Sequence, residues 1–194
     1  MVEIRMHGRG GQGAVVACKI LATAFFWEGQ FAQSFPSFGV ERRGAPVMAF
    51  IRVDEKPIRL RTEIYEPDHL VVLDPTLLNM VNVTHGLKPG GTITINSAYP
   101  PEHFQLGSDF RVATVDAGHI AVKHGLGTPS QPLVNTAILG AFARVLGMPS
   151  LKAVEDAIRQ IVPLKPDENV AATREAYEQV KLPAADQGAE VEHE

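Results

Sequence analysis

The amino-terminal run MVEIRMHGRGGQGAVVACKILATAFFWEG sets a short strand, a glycine-rich loop and an apolar-periodic helix in immediate succession. A strand that feeds a helix through a tight loop must lay that helix back on its own sheet, which commits the chain to an α/β fold. The helix carries apolar residues at Val15, Ile20, Leu21, Ala24 and Phe25, and Gly29 supplies its stop. Inside the loop, Gly8-Arg9-Gly10-Gly11-Gln12-Gly13 satisfies G-x-G-x-x-G. Such glycines let a phosphate reach helix amides, let the helix pack tightly on the sheet, or let a partner's backbone approach. A dinucleotide site also needs an acid at the end of the next strand for the ribose hydroxyls, and QFAQSFP offers Gln33 and Ser34 there, with Glu28 on the wrong side. Arg9 favours an anion or an acidic partner.

The rest of the chain alternates in the same way. QFAQSF reads as a second strand, and PVMAFIRVD and PIRL as two more around Asp54-Glu55-Lys56. HLVVLD is the wholly apolar kind of strand found at the centre of a parallel sheet. GGTITINS and FRVATVDA add strands, and GHIAVKHG is helical. Pro132 suits a first helical turn, with Val134, Ala137, Ile138, Ala141, Phe142 and Val145 on one face and Gly147 and Pro149 as the stop. Leu151, Val154, Ile158 and Ile161 mark the next helix, and Asp167 is placed to cap a last one ending near Lys181. The expected fold is a Rossmann-like, mostly parallel sheet flanked by helices, with a helical C-terminal third. It spans residues 1–182 as one domain, and the acidic stretch 183–194, which lacks periodicity, is expected to be disordered or to lie along a partner.

Composition removes several functions. The formal charge of -4 lacks the basic excess that non-specific phosphate-backbone binding requires, so nucleic acid is not an expected partner. No apolar run approaches the ~20 residues that cross a bilayer, and the N-terminus has no secretory pattern, so a cytoplasmic location without membrane contact is expected. Cys18 is the single cysteine, reads as a small buried hydrophobe, and cannot ligate an iron-sulfur cluster by itself. The seven histidines show no metal-binding spacing. His7, at the end of the first strand beside the glycine loop, is the one to examine for function, with a packed strand-end histidine as the favoured reading. Asp74 and Asp116 follow apolar strands as turn or cap residues do, and Asn135 and Thr136 stand near a helix entrance.

The segment FPSFGVERRGAPVMAF, 35–50, is the least expected on general grounds. A loop of about ten residues at the carboxyl end of a strand lies where ligands and partners dock on open α/β sheets. Phe35 and Phe38 are too apolar for a plain surface loop, and Arg42 and Arg43 are residues that anchor protein interfaces or anionic ligands. Phe35, Pro36, Ser37, Phe38, Gly39, Val40, Glu41, Arg42 and Arg43 therefore form a candidate docking element better suited to binding than to chemistry.

With GRGGQG, this segment resembles the γ subunit of the thiamine-diphosphate-dependent 2-oxoacid:ferredoxin oxidoreductases, most closely the pyruvate type. The resemblance continues through YEPDHLVVLDP, GLKPGGTITINS, VDAGHIA and NTAILGAFARVLG, and covers nearly all of Val2 to Leu182. It implies a non-autonomous subunit of a complex that oxidatively decarboxylates a 2-oxoacid, passes the acyl group to coenzyme A and sends two electrons through iron-sulfur clusters to ferredoxin. It further implies thiamine diphosphate and Mg2+ on α and β subunits, and clusters on β and δ subunits, with no cofactor held by this chain alone. The 35–43 segment would pack against α and β beside the cofactor cleft, and Gly8, Arg9, Gly10, Gly11, Gln12 and Gly13 would serve as an anion or close-approach loop. Relatives acting on 2-oxoglutarate usually carry Pro-Ser-Tyr-Gly-Pro-Glu-Met-Arg-Gly-Gly where PSFGVERRGA stands here, and indolepyruvate relatives differ again, which places those two substrates behind pyruvate, branched-chain 2-oxoacids and aryl glyoxylates; pyruvate is favoured, with a branched-chain 2-oxoacid or aryl glyoxylate, and NAD as final acceptor, as the alternative. Asp116-Ala117-Gly118 stands where relatives often have Asp-Ala-Thr, so no hydroxyl is available at 118. A free-standing nucleotide-binding protein and a purely structural scaffold are the rival readings.

Overall fold

A computed structural model describes residues 1–37 and 42–182. In chain order these form β1 (Val2–Arg9), α1 (Ala14–Trp27), β2 (Phe31–Pro36), β3 (Pro46–Asp54), β4 (His69–Val72), β5 (Thr92–Asn96), β6 (Arg111–Val115), α2 (Ala117–Lys123), the small hairpin β7 (Gly127–Thr128) and β8 (Gln131–Pro132), then α3 (Ala137–Leu146), α4 (Leu151–Ile161) and α5 (Pro166–Gln179). The main sheet runs β2-β3-β1-β4-β5-β6. The β1–β4, β4–β5 and β5–β6 pairs are parallel, whereas β3 is antiparallel to both β1 and β2. The expected mixed α/β architecture with a mostly parallel sheet and a helical last third is what the chain adopts.

Side-chain alternation assigns the faces. Ile4 and Met6 of β1, Ala49, Ile51 and Val53 of β3 and Val71 of β4 join one core with residues of all five helices. Leu70 and Val72 of β4 and Ile93 and Ile95 of β5 join a smaller core on the other face, packed under Leu78, Phe104, Leu106 and Phe110 of loops and short turns. The flanking helices thus gather on one side. HLVV carries no polar residue after His69 because both faces of β4 are covered. Cys18 lies in the helical core at 1% exposure, which raises its thiol well above the usual range by burial alone.

Four local expectations are corrected. PIRL is not a strand: both edges of β3 are already occupied, by β1 and β2, so it has no partner to pair with. Pro132 belongs to the β7–β8 hairpin, fixed by the Leu133 N–H to Leu126 carbonyl bond, and α3 starts only at Ala137. Asp167 lies inside the first turn of α5, after Pro166, and pairs with Arg159 at 3.2 Å, while Lys165 takes the cap position. Val15 is 40% exposed, because Ala14, Ala17 and Cys18 take the sheet-facing side of that turn of α1.

One buried ion pair ties the antiparallel half together. Glu3 and Arg52 are opposite each other across β1 and β3, and Arg52 Nε donates to Glu3 Oε1 at 2.8 Å. Arg52 is 2% exposed and also donates to the carbonyls of Thr62 (2.7 Å) and Glu63 (3.3 Å). Removing one member of such a pair strands a buried charge, so Glu3→Gln is expected to cost about 3 kcal/mol in urea unfolding; a change under about 0.5 kcal/mol would show that the pair is not structural.

Candidate functional site

Parallel strands put their carboxyl ends on one edge, so the glycine loop after β1, Asp74 after β4, Asn96 at the end of β5 and Asp116 after β6 come together there. Because β3 runs the other way, the connection from β2 into β3 crosses the same edge. The two features that stood apart in the sequence therefore meet. Gly10 N–H donates to the Ala45 carbonyl at 2.9 Å, and Gly44 N–H donates to the Gly10 carbonyl at 3.0 Å. Ala45 N–H closes the turn onto the Arg42 carbonyl at 3.0 Å, and Gly10 bridges Arg43 in parallel. A Cβ on Gly10 would overlap the Arg42 carbonyl oxygen, so only glycine permits the contact.

Arg9 reinforces this junction from the side. Its Nε donates to Asp74 Oδ2 at 2.7 Å, Nη1 to the Gly44 carbonyl at 3.0 Å and Nη2 to Thr76 Oγ1 at 2.7 Å. Its own N–H is held by Gln12 Oε1 at 2.8 Å. Of the two expectations for Arg9, an anion or an acidic partner, the chain supplies the second, Asp74. Asp74 also caps the following 3-10 turn by accepting from Thr76 N–H at 3.0 Å. Burial works to raise its carboxyl pKa, but the bonds from Thr76 and Arg9 outweigh that and hold it below the usual range. At the far end of the loop, Gly13 has φ of 79°, and a Cβ there would lie 2.6 Å from Asn135 Nδ2, so Asn135 seats the start of α1. Thr136 is buried and donates to Asn169 Oδ1 at 2.7 Å. Asp116 caps α2 by accepting from His119 N–H at 2.9 Å. Gly118 N–H is bonded to Asn96 Oδ1 at 3.1 Å.

This arrangement disfavours a dinucleotide. The strand after α1 is the sheet's outer strand, separated from β1 by β3, so the ribose-binding position beside β1 does not exist. Both backbone polar groups of Gly10 are also committed to the turn. Gly8 and Gly11 flank that contact, a Cβ on Gly8 meeting Leu73 at 3.0 Å and one on Gly11 meeting the Arg43 stem at 3.8 Å.

Within the docking segment, the residues divide by role. Phe35 is half-buried at the end of β2, its ring 5.2 Å from that of Phe50 and under the Arg52 guanidinium at 5.4 Å. Pro36 is the last residue of β2, so the loop begins at Ser37, whose hydroxyl donates to Glu63 Oε1 at 2.7 Å. Phe38, Gly39, Val40 and Glu41 lie outside the described residues, as does the tail 183–194. Arg42 and Arg43 are exposed, and neither guanidinium has a hydrogen-bond or ion-pair partner among the described residues.

His7 is 4% exposed on the face away from the helices, and its Nε2 accepts from Arg5 Nε at 3.0 Å. Burial, helped by the Arg5 charge, pushes its pKa down to about 3. Arg5 was not singled out by the sequence, since a lone arginine in a strand gives no signal of its environment. Among the described residues no group of three or more His, Cys, Asp or Glu could hold a metal ion, and no helix is long and apolar enough to cross a membrane.

The fold and the edge define a class: an α/β domain whose glycine loop is used to brace an exposed arginine turn. The sequence pattern of the family described as pyruvate ferredoxin/flavodoxin oxidoreductase matches residues 3–179. The chain is 50% identical over 186 residues to the pyruvate/ketoisovalerate oxidoreductases common subunit gamma of Pyrococcus abyssi, covering 94% of this chain and 98% of that one. It is 49% identical to the pyruvate synthase subunit PorC of Methanothermobacter thermautotrophicus, over 93% of this chain and 97% of the relative. The crystal structure of pyruvate oxidoreductase subunit PORC from Thermotoga maritima superposes with a TM-score of 0.79 at 35% identity, covering 93% of this chain and 97% of that chain. The chain belongs to the pyruvate ferredoxin/flavodoxin oxidoreductase family, as the motif resemblance implied.

Two outcomes follow from the geometry. Gly10→Ala is expected to release the turn and raise the rate of tryptic cleavage after Arg42 and Arg43 several-fold, about the effect of losing two backbone bonds; an unchanged rate would mean that the loop does not hold it. His7 binds no proton in the folded state until near pH 3, whereas the unfolded chain protonates it below about 6.5, so stability falls with pH across that window. Urea unfolding of wild type should lose about 2 kcal/mol more than His7→Gln between about pH 7.5 and about pH 5; parallel pH profiles would refute the buried neutral imidazole.

Proposed function

We propose that the chain is the γ subunit of a cytoplasmic 2-oxoacid:ferredoxin oxidoreductase, and that its braced turn docks on the subunits that carry the chemistry. In this reading α, β and δ subunits hold thiamine diphosphate, Mg2+ and iron-sulfur clusters, coenzyme A receives the acyl group, and ferredoxin accepts the electrons. The single cysteine of the sequence fits a chain that leaves cluster ligation to its partners. Pyruvate is the favoured substrate, in keeping with the names of the relatives from Methanothermobacter thermautotrophicus and Thermotoga maritima.

The observation that carries the docking role is the exposed Arg42–Arg43 pair, without a side-chain partner among the described residues and held in place by Gly10 and Arg9. A long side chain that must find its partner by diffusion loses entropy on binding; fixing its backbone beforehand lowers that cost. A positive turn of this kind suits an acidic patch or a phosphate-bearing cofactor at the mouth of a neighbouring subunit's cleft. The glycine loop contributes by close approach to the turn, and the chain has no part in bond making.

A second substrate, a branched-chain 2-oxoacid, is favoured by a specific finding. The relative from Pyrococcus abyssi is named as a subunit common to pyruvate and ketoisovalerate oxidoreductases, so a γ chain of this kind need not select the substrate. Purification through a tag on this chain should bring down iron-rich, thiamine-bearing partners with pyruvate-dependent ferredoxin reduction. In that complex, joint replacement of Arg42 and Arg43 by alanine should lower turnover by about tenfold or more. A chain that purifies alone and free of cofactor would contradict the subunit reading; a double variant that loses assembly but retains full turnover per complex would reduce the turn to a scaffold.

A further inference from the structure

On the face away from the helices, β1 and β3 floor a cavity of about 450 Å³, walled by Met48, Phe50, Ile64 and Val81 and reached by Arg5 and His7. Arg5 is 5% exposed, and its Nη2 donates to the carbonyls of Val83 (2.8 Å) and His85 (2.7 Å) while its Nε donates to His7. No carboxylate lies within ion-pair distance of it among the described residues. The same face shows what a structural buried arginine looks like here: Arg52, one strand over, has Glu3 at 2.8 Å. Arg5 has carbonyls and an imidazole instead, so its charge is solvated but not neutralised. Leaving a buried guanidinium in that state is costly unless an anion completes it.

The remaining donors point the same way. Because Nε2 of His7 accepts from Arg5, the ring's hydrogen sits on Nδ1, and no acceptor among the described residues takes it. Nη1 of Arg5 is likewise without an acceptor there. The cavity thus offers a cation and a neutral N–H donor at its floor and apolar walls above them. Glu63, which also lines it and accepts from Ser37, puts a negative group in the same space and disfavours a multiply charged ligand such as a diphosphate. A volume near 450 Å³ lies within the range of small-molecule sites.

We infer that this cavity is a binding site for a small monocarboxylate with an apolar body, its carboxylate held by Arg5 and His7 and its body against Met48, Phe50 and Val81. The inference stands independently of the subunit reading, since it concerns the isolated chain. The purified full chain would be titrated with sodium hexanoate and sodium phenylacetate at constant ionic strength, with hexanamide as the uncharged control, following the Arg5 Nε and His7 ring signals by NMR. Saturable shifts of both signals with the carboxylates and none with the amide are expected. Arg5→Met should weaken the binding by about tenfold or more, as losing a charge-assisted hydrogen bond does. Should that variant not fold, Val81→Trp, at an exposed wall position, fills the cavity with Arg5 intact and should abolish the shifts. Absence of saturable shifts in wild type, equal binding of hexanamide, or binding undiminished by Val81→Trp would each overturn the site.

Discussion

The contact between Gly10 and the Arg42–Ala45 turn is the constraint on which the functional edge depends. Two backbone hydrogen bonds join segments more than thirty residues apart, and they form only because position 10 has no side chain. Arg9 then fastens the same turn to Asp74, so the ends of β1 and β4 and the entry to β3 become one unit. Without this brace the arginine turn would be an ordinary connection between antiparallel strands. With it, two exposed guanidinium groups are presented from a fixed backbone, which is what an interface anchor requires.

The brace also accounts for why a glycine pattern usually associated with nucleotides has a different use here. A phosphate-binding loop must keep its amides free and face a strand carrying a ribose-binding acid. In this chain Gly10 spends both of its backbone groups on the turn, and the insertion of antiparallel β3 beside β1 removes the neighbouring strand. The pattern records backbone crowding. The ligand that produces the crowding is the chain itself.

Much of this was legible in the sequence, for identifiable reasons. The apolar run that starts at Leu70 reads as a strand covered on both faces, and the capping roles of Asp74 and Asp116 followed from carboxylates placed just after strands. The errors fell where tertiary pairing decides: PIRL has strand-forming residues, but β3, its expected hairpin partner, is paired on both sides, and Pro132 suits a helix start yet is claimed by a hairpin. Arg9 favoured an anion or an acidic partner without naming it, because Asp74 lies 65 residues away and only the parallel β1–β4 pairing brings it near. Arg5 carried no signal at all. Its burial depends on β3 and on the 83–85 loop covering the face, and neither is a local property.

If the braced turn docks as proposed, it is buried against other subunits in the assembled enzyme. Limited trypsinolysis of the native complex beside the isolated chain, with the cut sites read by mass spectrometry, tests it most directly. A docked turn gives cleavage after Arg42 and Arg43 in the isolated chain and protection of both in the complex. Equal cleavage in the two would contradict it, since exposed arginines that stay exposed on assembly are not an interface.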